Sequence, residues 1–153
     1  MKTRLDLDKV NPAAAKAMMG LEGYVQKSGI NKTLLELIKT RASQINRCAF
    51  CIDMHTKDAR HFGETEQRLY ALNAWEETPF FTPEERAVLE LTEAVTRIGE
   101  QGVSDEVYEH VSHYFTPEQI TQLLMAIVTI NAWNRIAITT RLVPGSYQVK
   151  VAA

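Results

Sequence analysis

The chain has 153 residues, 45% hydrophobic and 24% charged, with a net charge of −2; this suits one soluble domain that buries its own core and steers it toward neither nucleic acid nor an anionic membrane. Seven Gly and five Pro exclude a fibrous or low-complexity chain. The N-terminal MKTRLDLDKVNP lacks the apolar stretch of a secretory signal, and no run reaches the roughly 18 apolar residues of a membrane span, so a cytoplasmic protein is expected.

The sequence reads as one helix after another. Asn11-Pro12 supplies a cap and an N1 proline for a helix from Ala13 to Gln26. Asn31 caps a second, LLELIKTRASQI, with Leu34, Leu35, Ile38 and Ala42 on one face. A third begins near Arg47-Cys48 and ends near His61, stopped by Gly63. Thr65 opens a short helix through Ala74, and Pro79 breaks the pattern. Thr82-Pro83-Glu84-Glu85 and Thr116-Pro117-Glu118-Gln119 each combine a Thr cap, Pro at N1 and an acid or amide at N3, the pattern of a capping box.

The first box predicts a helix to about Gly99 with Val88, Leu89, Leu91, Thr92 and Val95 inward. The second predicts a long helix to about Arg141 with Ile120, Leu123, Leu124, Ile127, Val128 and Ile130 toward the core. Ser104 caps DEVYEHVSHYF between them. The tail YQVKV is the one hint of a strand. The expected class is therefore all-α, a single domain over residues 1–153, with no linker and no internal repeat.

Two cysteines, Cys48 and Cys51, lie three positions apart. A bridge between them would close a tiny loop and add little stability, because the benefit of a disulfide grows with loop length; its value would be chemical. On a helix Cys48 and Cys51 form an i, i+3 pair and Cys51 and His55 an i, i+4 pair, which puts all three on one face. A thiol at a helix N-terminus gains thiolate stability from the free N–H groups and the dipole, and Arg47 adds a positive charge. The dipole favours Cys48 as the lower-pKa thiol, whereas His55 favours Cys51. Two bland readings compete: a pair of small buried hydrophobes, or a zinc site completed by His61, His110 or His113.

The stretch LLELIKTRASQINRCAFCIDMHTKDARHFG resembles the core of the alkylhydroperoxidase AhpD-like family, which overlaps the carboxymuconolactone decarboxylase family. The Cys48-x-x-Cys51-x-x-x-His55 pattern carries the resemblance, with Glu36 twelve residues before Cys48. It extends through RLYALNAWEETPFFTPEERAVLELTEAVTRI and, more thinly, to INAWNRIA. The resemblance implies an all-α bundle of about six to seven helices, assembled as a trimer or hexamer, and a dithiol that cycles without metal, haem or flavin. It assigns Cys51 as peroxidatic, Cys48 as resolving, and His55 and Glu36 as proton relays. The implied partners are a hydroperoxide substrate and a dithiol or lipoyl-type reductant. Where some members carry a second His before the second Cys, this chain has Phe50.

Alternative functions are a redox-sensing disulfide switch and a decarboxylase of the other branch, which does not depend on the cysteine pair. Elsewhere, His110 and His113 with Glu106 and Glu109 read as a solvated face. Trp75, Phe80 and Phe81 read as core or interface, and Asn131 and Asn134 as polar groups that must find partners in an apolar helix. Met18, Met19 and Met125 read as packing, and Tyr24 or Tyr70 as a candidate pocket wall.

Overall fold

A computed structural model describes residues 2–149. Eight α-helices make up the described chain: α1 (Leu7–Val10), α2 (Pro12–Lys27), α3 (Lys32–Asn46), α4 (Ala49–His61), α5 (Glu66–Ala71), α6 (Pro83–Thr96), α7 (Asp105–Ser112) and α8 (Pro117–Thr140), with a 3₁₀ segment, Leu72–Glu77, after α5. The all-α class is as the sequence implies, and no strand occurs among the described residues. Tyr147–Val149 of the tail are irregular, and the rest of YQVKV lies outside the described residues.

The helix starts follow their caps. Asn11 accepts from the Ala14 N–H ahead of α2, and Asn31 from Thr33 and Leu34 ahead of α3. Both capping boxes form in full, at Thr82/Glu85 and Thr116/Gln119. Two details differ from the periodicity. The one-turn α1, capped by Asp6, is too short to show a period. The expected helix from Thr65 to Ala74 ends at Ala71 and tightens into 3₁₀ geometry, with Ala74 out of helical conformation at φ −128°.

The central helix is α3, packed between α4, α6 and α8. Its apolar stripe joins Leu35 and Ile38 to Val25 of α2, Val88 and Leu91 of α6, Val111 of α7 and Leu123 and Ile127 of α8, forming the main core. Leu37 points elsewhere, into a second cluster with Leu72, Trp75, Phe81 and Leu89. Every α3 residue from Leu35 to Ser43 is buried, charged ones included. Buried charges need partners, and each of the three has one on another helix or in the site: Lys39 Nζ lies 2.6 Å from Glu22, Arg41 Nε 2.7 Å from Glu93, and Glu36 pairs with His55.

Helix α8 shows where periodicity misplaced side chains. Leu124 and Val128, expected toward the core, are 41% and 43% exposed. A helix apolar on all sides does not say which face it buries. By length and composition α8 could cross a membrane, yet half of its apolar window is buried against the rest of the bundle. Its Asn131 and Asn134 find the partners they require. Asn46 Nδ2 donates to both at 2.9 Å, Asn131 donates to Thr96, and Asn134 donates to Ser43. These bonds tie the C-terminal end of α3 to the middle of α8.

Candidate active site

The corner between α3 and α4 places the cysteines. α3 closes with Arg47 in the left-handed region at φ 58°. The Arg47 N–H bonds Gln44 O, and the Cys48 N–H bonds Ser43 O at 2.9 Å, a Schellman arrangement. Arg47 therefore ends α3 with its side chain exposed, rather than opening the next helix. Cys48 becomes the N-cap of α4, its sulfur accepting from the Cys51 N–H at 3.4 Å. Both cysteines thus occupy the first turn of α4, where unpaired N–H groups and the dipole favour thiolate.

Cys48 and Cys51 are at disulfide distance, with Cα atoms 5.3 Å apart, inside the range such a bond needs. They are buried with Ala42, Ile130 and Ala137, against Phe50, Trp133 and Leu142. One turn on, His55 is buried with its Nδ1 2.8 Å from Glu36 Oε2. This hydrogen bond uses Nδ1 and leaves Nε2 as the second polar atom of the ring. Glu36, 19 residues before His55, is thus brought to the site by the packing of α3 on α4.

A cavity of about 550 Å³ opens here, and of the two cysteines only Cys51 belongs to its lining. Phe50, Met54, Phe62 and Trp133 supply apolar wall. Polar groups line it as well: Glu36 and His55, together with Glu22, Lys39, Asp58 and Tyr147, four residues that sequence reasoning did not single out. Asp58 sits one turn past His55, so its spacing was a signal. Tyr147 carried none, because it arrives from 89 positions away. Of the tyrosines that were considered, Tyr24 and Tyr70 are exposed and absent from the wall, whereas Met19, read as packing, is exposed at the cavity.

The donor atoms of Glu36, His55 and Asp58 lie within 4.8 Å of one another. His55 Nδ1 is hydrogen-bonded to Glu36, and the Tyr147 hydroxyl contacts both Asp58 oxygens at 2.8 and 3.0 Å. Burial, with the Glu36 charge beside it, pushes the Asp58 carboxyl above the ordinary aspartate range, against the Tyr147 hydrogen bond. Tyr147 is pushed up by burial and by Asp58. Glu22 lies below the usual carboxylate range because Lys39 outweighs the opposing effect of burial.

The remaining candidates lie away from this cluster. His110 Nδ1 is 2.7 Å from Glu90 on a half-exposed surface and His113 is exposed. Trp75 and Phe81 are core, while Phe80 is exposed.

The sequence profile of the carboxymuconolactone decarboxylase family matches residues 12–94, and the chain belongs to that family. The match begins upstream of the segment that suggested it. The uncharacterized protein YdfG of Bacillus subtilis (strain 168) is 51% identical over 138 residues, covering 90% of this chain and 94% of its own. Among solved structures, ATU0492 from Agrobacterium tumefaciens, described as of unknown function and provisionally as an antioxidant defence protein AhpD, superposes with a TM-score of 0.92 at 45% identity, covering 95% of this chain and all of its own. The debrominase Bmp8 shares the fold, with a TM-score of 0.78 at 20% identity over 89% of this chain and 73% of its own.

Proposed function

We propose that the chain is a thiol-dependent hydroperoxidase in which Cys51 is peroxidatic, Cys48 resolving, and His55 and Glu36 move protons. The observation that carries this reading is that Cys51, and not Cys48, lines a cavity shared with the His55–Glu36 pair. It supports Cys51, the thiol that the His55 spacing favours, over Cys48, the thiol that the dipole alone favours.

In the reduced protein the Cys51 thiolate attacks the terminal oxygen of a hydroperoxide. The O–O bond breaks, the sulfur becomes a sulfenic acid, and the departing alkoxide takes a proton from the His55–Glu36 pair to leave as an alcohol. Cys48 then attacks Cys51 sulfur, and the displaced hydroxide takes the Cys48 proton and leaves as water. The disulfide forms with two electrons passed to the peroxide. A dithiol or lipoyl-type donor restores the thiols by exchange. The family resemblance supports a homo-oligomeric assembly, a trimer or hexamer.

The test is consumption of an organic hydroperoxide with a panel of dithiol donors. Cys51→Ser is expected to abolish turnover, and Cys48→Ser to allow one thiol-consuming event that leaves a trappable sulfenic acid. Wild-type turnover in both single variants would sink the dithiol mechanism. A protein that oxidises once and changes assembly without cycling is a sensor instead.

A further inference from the structure

After α8 the chain doubles back as a strap over α4. The Gly145 N–H donates to Asp53 Oδ2 at 3.0 Å, and Lys57 Nζ donates to the Tyr147 carbonyl at 3.1 Å. The strap carries Tyr147 into the cavity wall, where its hydroxyl bonds Asp58. Tyr147 lies beyond residue 94, where the family match ends.

We propose that Asp58 and Tyr147 extend the Glu36–His55 pair: Asp58 sets the protonation state of the pair, and Tyr147 is the residue that positions Asp58. The inference rests on the peroxidase reading for its purpose and on geometry for its existence. Two carboxylates and an imidazole with donor atoms within 4.8 Å cannot all be in their unprotonated forms without strong repulsion in a largely buried setting. The cluster therefore retains a proton, which is what the departing alkoxide requires.

The titratable and charged groups that share this cavity with Asp58 come from four elements. Glu22 comes from α2; Lys32, Glu36 and Lys39 from α3; His55 from its own helix; and Tyr147 from the strap, while α8 contributes only Trp133 and Ala137 to this wall. Glu22 and Lys39 neutralise each other at 2.6 Å. Asp58 thus faces the Glu36–His55 pair with the Tyr147 hydroxyl as its own hydrogen-bond donor. That donor favours the charged carboxylate, so its removal raises the pH at which Asp58 takes a proton.

The test uses the reduced protein carrying Cys48→Ser, so that one thiol is read. The Asp58 carboxyl carbon is titrated by NMR, and the rate of Cys51 alkylation by iodoacetamide is measured across pH. The alkylation profile is expected to inflect at the Asp58 midpoint. Tyr147→Phe moves midpoint and inflection upward together, by about one pH unit. Asp58→Asn removes the inflection, Asp58→Glu restores one, and Tyr70→Phe, on an exposed tyrosine, changes neither.

Profiles that superimpose on wild type in both Asp58→Asn and Tyr147→Phe would overturn the proposal, as would a moving midpoint with an unmoved inflection. Should Asp58→Asn fail to fold, Tyr147→Phe, which loses one hydroxyl, carries the test. No peroxide enters the assay. Coupled titration in a protein that turns over no hydroperoxide would therefore overturn the peroxidase reading and keep the Asp58–Tyr147 assignment.

Discussion

Glu93 shows how one side chain can hold several elements. Its Oε1 accepts from Arg41 Nε at 2.7 Å and from Trp75 Nε1 at 2.8 Å, and its Oε2 pairs with Arg97. Burial raises the Glu93 carboxyl, but the Arg41 hydrogen bond, with Trp75 and the Arg97 charge, outweighs it and leaves the group below the ordinary glutamate range. A carboxyl depressed in the folded state contributes stability above its unfolded range, and that contribution is lost as pH falls through that range toward the lower folded value. Glu93→Gln is therefore expected to cost about 2 kcal/mol at neutral pH, since it leaves the buried Arg41 without its counter-charge. In denaturant melts, the gap from wild type should narrow as the pH is lowered through the carboxylate range. A gap that stays constant across that range would mean that the charge contributes nothing.

At the scale of elements, the corner between α3 and α4 is where local sequence and tertiary demand diverge. A residue in the left-handed region at φ 58° costs roughly 1–2 kcal/mol unless it is glycine. The chain nonetheless has Arg47 there, while Gly63 takes the equivalent conformation after α4. The corner is held by the Asn46–Asn131–Asn134 bonds and by the Cys48 N–H on Ser43, so the strain persists next to the disulfide. Arg47→Gly is expected to raise the melting midpoint, by about 1 kcal/mol of stability. A lower midpoint would show that the Arg47 side chain stabilises the folded state by more than the strain costs.

The caps at Asn11, Asn31, Thr82, Ser104 and Thr116 were legible because each is a local event: one side chain satisfies an N–H two or three positions on. The corner was only half legible. Spacing put Cys48 near a helix start, but the closure of α3 at Arg47 depends on contacts with α8.

For the whole molecule, the exposed apolar side chains Leu124, Val128 and Ile138 of α8 lie within one arc of its surface. The family resemblance implies a trimer or hexamer, and this face is where we expect subunits to meet. Val128→Glu should shift the mass measured by light scattering toward monomer and leave the helical circular dichroism intact. An unchanged mass would move the expected interface elsewhere. Sequence patterning misplaced Leu124 and Val128 because a helix apolar on all sides does not record which face it buries.

The sequence by itself determined the all-α class, most helix starts, and the grouping of Cys48, Cys51 and His55, because spacing along one helix settles which side chains share a face. It also marked Glu36, through family resemblance rather than periodicity. Only tertiary structure decided that Glu36 touches His55, that α3 is buried on every side from Leu35 to Ser43 with its charges there paired, that Cys51 is the cysteine at the cavity, and that a strap brings Tyr147 to Asp58. Those facts join residues between 17 and 89 positions apart. Such meetings are set by how whole helices pack, and no local period records them.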